Sequence, residues 1–146
     1  MSYDLILWCG EQPVRNPGEV WKALYLGAKR EWEAAGTSPT PDTFTSTLAY
    51  DDAKALVAPL VTARVLAAFK REFGAELQIE TEAGKTNVLG PGWQFSLREG
   101  AWYVHVTCSW ELARDEQRVT KLRRAALRAR CSTYDPQTDV YFQPTE

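Results

Sequence analysis

The spacing of the apolar residues changes near residue 75, and this change restricts the chain to a mixture of helices and strands. From Asp51 to Phe73 the apolar residues recur at every third or fourth position, which predicts a helical region. From Leu77 to Trp110 they alternate with polar residues instead, which predicts strands that each bury one face. Helices and consecutive strands in one short chain are typical of an α+β fold.

The N-terminal part adds a strand and a long helix. Tyr3–Cys9 is a short apolar run, which predicts a strand that is buried on both faces near the centre of a sheet. Asn16 is a favourable N-cap and Pro17 suits the first helical position, so we expect a helix that begins there and runs to Ala35. Residues 36–47 are rich in Thr, Ser and Pro, which is typical of a surface loop.

Proline and glycine divide the rest of the chain. Pro59 lacks the N–H group that a helix needs, so we expect it to kink or divide the helical region. Gly84–Thr86 is expected to be a hairpin loop with an exposed lysine, because a phosphate-binding loop would need a glycine where Ile79 stands. A third helix is predicted from Leu112 to Cys131, followed by a small hairpin or a kinked strand.

These elements predict one α+β domain over residues 1–146. The expected element order is β-α-α-β-β-β-α-β(β). We expect a mostly antiparallel sheet of about five strands, with the helices packed on one of its faces.

The cysteines and the N-terminus bear on the compartment of the protein. The three cysteines are widely spaced and include no CxxC pair, which argues against a zinc ribbon or a thioredoxin-like redox site. Cys9 and Cys108 lie in apolar strand-like runs, where a free thiol behaves as a small hydrophobic side chain, so we expect a reducing compartment. The N-terminus does not have the pattern of a signal peptide, and no apolar stretch approaches the roughly 20 residues of a transmembrane helix. These features predict a soluble cytoplasmic protein without a membrane partner.

The chain has a single histidine, His105, so it is poor in side chains whose ordinary pKa lies near neutral pH. Tyr103, His105 and Thr107 alternate with the apolar residues of one predicted strand, so they share its polar face. A ligand site there could use the imidazole as a general base. We favour the alternative of a solvated sheet face, because no acidic residue has a spacing that forces it beside His105. We therefore expect no catalytic residue, no metal ligand and no cofactor.

Charged segments offer candidate contacts for another macromolecule. Glu76, Glu80 and Glu82 form an acidic segment that can face a basic cleft of a protein partner, and a solvated surface is the alternative for the same residues. The third predicted helix carries several arginines between Arg114 and Arg130. We interpret them as a solvated helix face rather than as a nucleic-acid footprint, so we do not expect a nucleic-acid partner.

The six tryptophans divide into two groups. One group occupies apolar positions of the alternating strands and is expected in the core: Trp93, Trp102 and Trp110. The other group lies at a strand end or on a helix face. An exposed tryptophan is a frequent anchor of a protein interface, so this group supplies candidate partner contacts: Trp8, Trp21 and Trp32.

The two ends of the chain carry short motifs. They are Met1–Trp8 (MSYDLILW) followed by Gly10 and Pro13, and Thr133–Gln137 (TYDPQ) followed by Val140 and Tyr141. With the helices and strands between them, these motifs resemble those of small cytoplasmic immunity-type proteins of bacterial polymorphic-toxin systems. The resemblance implies an α+β protein that neutralises a cognate toxin by binding it, often by occluding its active site. It implies no transferable set of functional residues, since the contact surface varies between members.

We therefore expect a non-enzymatic inhibitor that binds a protein partner, with an immunity protein as the leading hypothesis. One alternative is an inhibitor that a mobile element encodes against a host defence protein. The alternative from another class is a small enzyme or ligand-binding domain that uses His105 and Tyr103.

Overall fold

Seven strands form one antiparallel sheet in the computed structural model of the chain, which describes residues 3–10, 14–34 and 48–142. The strands are β1 (Tyr3–Cys9), β2 (Gln78–Glu82), β3 (Lys85–Gly90), β4 (Trp93–Leu97), β5 (Val104–Cys108), β6 (Cys131–Asp135) and β7 (Val140–Phe142). Their order across the sheet is β2-β3-β4-β5-β1-β6-β7, and each neighbouring pair is antiparallel. The α+β class is confirmed, and the sheet is larger than the expected one of about five strands.

The described helices follow the helical period of the sequence. They are α1 (Pro17–Ala34), α2 (Tyr50–Lys54), α3 (Thr62–Phe73), α4 (Trp110–Ala113) and α5 (Glu116–Arg128), with one 3₁₀ turn at Gly74–Glu76. The predicted start of α1 at Pro17 is confirmed, whereas its predicted end and the predicted loop at 36–47 lie outside the described residues. In the part of the chain that is described, no helix is both long enough and apolar enough to cross a membrane.

Two helical regions are divided. Pro59 lies between α2 and α3, which confirms the predicted division there. The predicted third helix is divided as well, at Asp115. The Asp115 carboxylate accepts hydrogen bonds from the backbone N–H groups of Gln117 (3.1 Å) and Arg118 (3.2 Å), so it begins α5 as an N-cap.

β3 is a strand that the sequence pattern did not predict. Its burial does not alternate along its length, and Val88 is its one fully buried residue. Ala83 and Gly84 both have positive φ (41° and 78°) and form the two-residue turn between β2 and β3. The predicted hairpin loop therefore ends earlier than expected, and Lys85 is already the first residue of β3.

Helices cover both faces of the sheet around β1. Leu5 and Leu7 belong to a core that includes residues of α3 and α5, whereas Ile6 and Trp8 belong to a second core that includes residues of α1 and α2. The prediction that this strand is buried on both faces is confirmed. The expectation that helices pack on one face is wrong, because a central strand without a polar side needs apolar cover on both sides.

The two cores reach different distances across the sheet. The first core continues through β5 and β4 to β3, and the Phe69 ring of α3 lies 5.4 Å from Trp93 and 5.0 Å from Phe95 between ring centroids. The strand residues of the second core lie in β1, β6 and β7, and the half-buried Trp102 and Tyr103 pack against it just before β5. The described helices therefore leave one face of β2, β3 and β4 uncovered.

The N-terminal strand is also linked covalently to the C-terminal hairpin. Cys9 and Cys131 are register partners on β1 and β6 and are joined as a disulfide. The free-thiol expectation for Cys9 is therefore wrong, because the strand order brings together two cysteines that are 122 positions apart. Cys9 thus gives no support to the expected reducing compartment. Cys108 is a free buried thiol, as expected.

Candidate functional site

The uncovered side of the sheet carries polar side chains on neighbouring strands, and we call this surface the open face. On β4 and β5, buried residues alternate with exposed ones, so the exposed set of each strand points to the same side. The register extends this side across β2 and β3, because cross-strand partners share a face. The open face comprises Asp4, Gln78, Glu80, Glu82, Lys85, Asn87, Leu89, Gln94, Ser96, His105 and Thr107.

A carboxylate stands beside the single histidine. His105 Nε2 lies 2.9 Å from Asp4 Oδ1, and the His105 side chain is half exposed. The two residues lie on the neighbouring strands β5 and β1, where Asp4 is the register partner of Thr107. No spacing in the sequence could reveal this neighbour, because 101 positions separate the two residues and the sheet order alone joins them.

His105 and Thr107 line a concave surface of about 420 Å³ on the open face. Asn87, Gln94 and Ser96 line it from β3 and β4. Ser96 Oγ donates a hydrogen bond to Asn87 Oδ1 (2.7 Å), and Asn87 Nδ2 donates one to Glu82 Oε1 (3.0 Å). A continuous row of polar groups therefore joins the concave surface to the acidic strand β2.

Tyr103, the third residue of the predicted ligand site, lies apart from this concave surface. It packs half-buried against the second core. Burial, followed by the proximity of Tyr25 and Tyr50, raises the pKa of Tyr103 to about 12. The phenol therefore stays protonated at neutral pH and can donate a hydrogen bond, but it does not serve as a base. Of the predicted ligand site, the structure keeps His105 and Thr107 together and adds Asp4.

The predicted acidic segment is divided between two sides of the molecule. Glu80 and Glu82 lie on β2, opposite Asn87 and Lys85, and belong to the open face. Glu76 lies in the 3₁₀ turn before β2, where its carboxylate is 3.0 Å from Lys121 Nζ of α5. Glu76 therefore belongs to the helical side and does not share a surface with the other two carboxylates.

The arginines of α5 are partly neutralised by α3. The Glu72 side chain is 8% exposed, and its two carboxylate oxygens lie 3.2 Å from Arg124 Nη1 and 2.9 Å from Arg128 Nε. Arg118 pairs with the N-cap Asp115 at 3.3 Å. The two contacts of Glu72 hold α5 against α3, and all three ion pairs leave less positive charge for a nucleic acid than the sequence alone suggested.

The candidate contact tryptophans occupy different environments. Trp8 is 1% exposed and stacks on Tyr141, with the ring centroids 5.7 Å apart. Its side chain does not reach the surface, because β1 is covered on both faces, so the expectation of a Trp8 contact is wrong. Trp21 is half-buried, with its ring centroid 6.1 Å from that of Tyr25. The side chain of Trp32 lies outside the described residues.

The tryptophans expected in the core differ as well. Trp93 is buried as predicted, and Trp102 is half-buried against the second core. Trp110 is 44% exposed, so its expected place in the core is wrong. The reason is local: β5 ends at Cys108, and the Ser109 hydroxyl accepts a hydrogen bond from the backbone N–H of Leu112 as the N-cap of α4. The strand alternation therefore does not extend to Trp110.

Comparison with known proteins adds no family assignment. No protein-family model and no curated protein matches the chain. Among the described residues, no group of three or more His, Cys, Asp or Glu side chains is arranged to hold a metal ion. The shape and charge of the open face are therefore the features that bear on function.

Proposed function

We propose that this protein is a non-enzymatic inhibitor that binds another protein, and that it acts in the bacterial cytoplasm as an immunity protein against a cognate toxin. The observation that carries the proposal is the open face, a polar sheet surface that the described helices leave uncovered. Asp4, Glu80 and Glu82 give this surface an acidic character. An acidic surface is complementary to a basic cleft, such as the active site of a toxin that acts on phosphate-bearing substrates.

The construction of the open face supports a binding role. β4 and β5 are anchored by residues that alternate into the first core, so the backbone beneath the polar side chains is held in place. The hydrogen bonds from Ser96 to Asn87 and from Asn87 to Glu82 order these side chains before a partner arrives. Groups that are already ordered lose less conformational entropy on association, which favours tight binding.

The test is protection of growing cells when the chain is co-expressed with each candidate toxin that a neighbouring gene encodes. The open-face variant combines Glu80→Gln with Glu82→Gln, and the matched control combines Glu111→Gln with Glu116→Gln. Both pairs remove two negative charges from exposed positions, and the control pair lies on α4 and α5 instead of the sheet. We expect the wild type and the control to protect the cells. The open-face variant should bind the toxin at least about tenfold more weakly and lose protection.

Two results would refute this proposal. One is that the wild-type chain neutralises no neighbouring toxin. The other is that the open-face variant binds and protects as well as the control variant.

One observation favours a second candidate function. His105 lines a concave surface with hydroxyl and amide groups, and its Nε2 lies 2.9 Å from the Asp4 carboxylate. An imidazole oriented by a carboxylate is an arrangement that general bases use. A small-molecule ligand or substrate is therefore the rival occupant of the open face. Screening for turnover with the wild type and with His105→Gln separates the candidates, because an inhibitor shows no turnover that depends on His105.

A further inference from the structure

Among the described strands, β2 lies at the edge of the sheet with its outer side unpaired. No other strand within the described ranges pairs with that side, and all five residues of β2 are exposed. Its pairing with β3 is regular from Gln78–Leu89 to Glu82–Lys85 and contains no bulge. Bulges and covering elements are common devices that block an edge strand. β2 therefore keeps the geometry that is needed to accept a further strand.

The hairpin turn determines which backbone groups of β2 point outward. In a two-residue hairpin, the residues that flank the turn exchange hydrogen bonds, so Glu82 directs its backbone N–H and C=O towards Lys85. Hydrogen-bonded and non-hydrogen-bonded positions alternate along an antiparallel pair. Ile79 and Thr81 therefore direct their N–H and C=O groups away from β3, and these four groups are available to a partner strand.

The side chains of β2 differ between its two faces. Glu80 and Glu82 lie on the open face, whereas Ile79 lies opposite the buried Val88 on the face of the first core. Glu82 accepts a hydrogen bond from the Asn87 amide and lies opposite Lys85. Glu80 makes no ion pair within the described chain. A strand added beside β2 would place alternate side chains next to the carboxylates and next to Ile79.

We propose that β2 pairs, by strand addition, with an extended segment of the partner protein in which basic residues alternate with apolar residues. The basic side chains lie beside Glu80 and Glu82, and the apolar side chains lie beside Ile79. This inference rests on the proposed function, in which the acidic face meets the partner, and it adds the form of the contact. A second copy of β2 is a poorer occupant, because like charges opposite each other in neighbouring strands are destabilising.

The test uses an alternating peptide of lysine and valine whose two termini are capped. The control, the block peptide, has the same composition and caps, but its lysines and its valines form two separate blocks. Binding to the full chain is measured by fluorescence anisotropy at one fixed salt concentration. Thr81→Pro removes an outward N–H of β2 without touching the hydrogen bonds to β3, and proline is tolerated at such edge positions. Thr81→Val is the matched control, because it keeps the backbone N–H and changes the side chain alone.

We expect the alternating peptide to bind the wild type and Thr81→Val equally, and to bind Thr81→Pro about tenfold more weakly, as loss of a backbone hydrogen bond predicts. The block peptide should bind more weakly than the alternating one. Equal binding of the two peptides, or equal binding by the two Thr81 variants, would overturn the inference, since general charge attraction would then explain the result.

A second measurement does not depend on the folding of a variant. The alternating peptide is methylated on alternate backbone nitrogens, which removes donors from one edge of the peptide. Two such peptides, one methylated on each edge, are tested for binding to the wild-type chain. At least one of them should bind about tenfold more weakly than the unmethylated peptide. Undiminished binding of both would overturn strand addition.

Failure of this inference and failure of the proposed function give different results. If Glu80→Gln with Glu82→Gln abolishes protection while Thr81→Pro leaves protection and peptide binding unchanged, strand addition is overturned and the inhibitory function stands. If the peptide binds with the expected pattern while the chain protects against no toxin, the edge contact stands and the immunity function is overturned.

Discussion

A single methyl group added at Gly90 should test the packing that supports the open face. Gly90 is the register partner of Trp93 at the turn between β3 and β4, the two strands that carry Asn87 and Ser96. A Cβ atom built on Gly90 would lie 2.7 Å from Trp93 Nε1 and closer still to two carbons of the indole. The indole has little room to move, because its centroid lies 4.9 Å from that of Phe73 and the residue is 4% exposed.

The magnitude follows from two opposing effects. Gly90 does not have a positive φ, so strand propensity alone predicts that alanine stabilises the protein by about 0.5–1 kcal/mol. Overpacking a rigid core costs about 1–3 kcal/mol, and partial expulsion of a buried tryptophan adds to this cost. The cost of displacing Trp93 offsets the gain in strand propensity, so we expect Gly90→Ala to lower the free energy of unfolding by about 1–3 kcal/mol.

Equilibrium unfolding in urea, followed by circular dichroism, measures this change. Gly100→Ala is a useful comparison, because Gly100 has a positive φ of 77° and open space around it, so only backbone strain of about 1–2 kcal/mol is expected. In a Trp93→Leu background, Gly90→Ala should lose most of its cost. A Gly90→Ala variant that is as stable as the wild type, or that has the same cost in both backgrounds, would contradict a clash with Trp93.

Two further predictions concern an ion-pair cluster and a buried thiol. Glu72→Gln should lower the free energy of unfolding by about 1 kcal/mol, because it weakens two ion pairs whose arginines are partly screened by solvent. Glu111→Gln should change the free energy of unfolding by less in the same urea assay. Equal changes for the two variants would contradict the role of Glu72. Burial, followed by the proximity of Asp4 and Asp135, raises the pKa of Cys108 to about 12 from its ordinary value of 9.0. Above about pH 9 the unfolded thiol therefore loses a proton that the native thiol keeps, so the stability falls as the pH rises further. The melting temperature of the wild type should decrease between about pH 8 and pH 10.5 by more than that of Cys108→Ala, and parallel decreases would count against this cause.

Local patterns predicted the elements with a clear period or a strong boundary signal. Asn16 and Pro17 marked the start of α1, Pro59 divided α2 from α3, and the alternation of Trp93–Leu97 identified β4. β3 gave no such signal, because it lies next to the edge strand and its burial is partial at every position except Val88. Burial of that kind depends on the neighbours of a strand and leaves no period in its sequence.

Local patterns also predicted one part of the candidate site and missed another. The alternation of polar and apolar residues along β5 placed His105 and Thr107 on one face. The same alternation along β4 indicated that Gln94 and Ser96 share a face. Asp4 could not be recognised, since the register of β1 against β5 alone brings it to the imidazole.

Contacts between near neighbours in the chain were thus enough to establish an α+β protein with a strand buried on both faces, a helix capped at its start and a polar row through His105. These features depend on alternation, capping and turn chemistry, which act over a few residues. Strand order and helix placement decided the rest: they cover Trp8, separate Glu76 from Glu80, and join Cys9 to Cys131. Pairing between segments that are distant in the chain depends on the packing of the whole sheet, so no local pattern contains it.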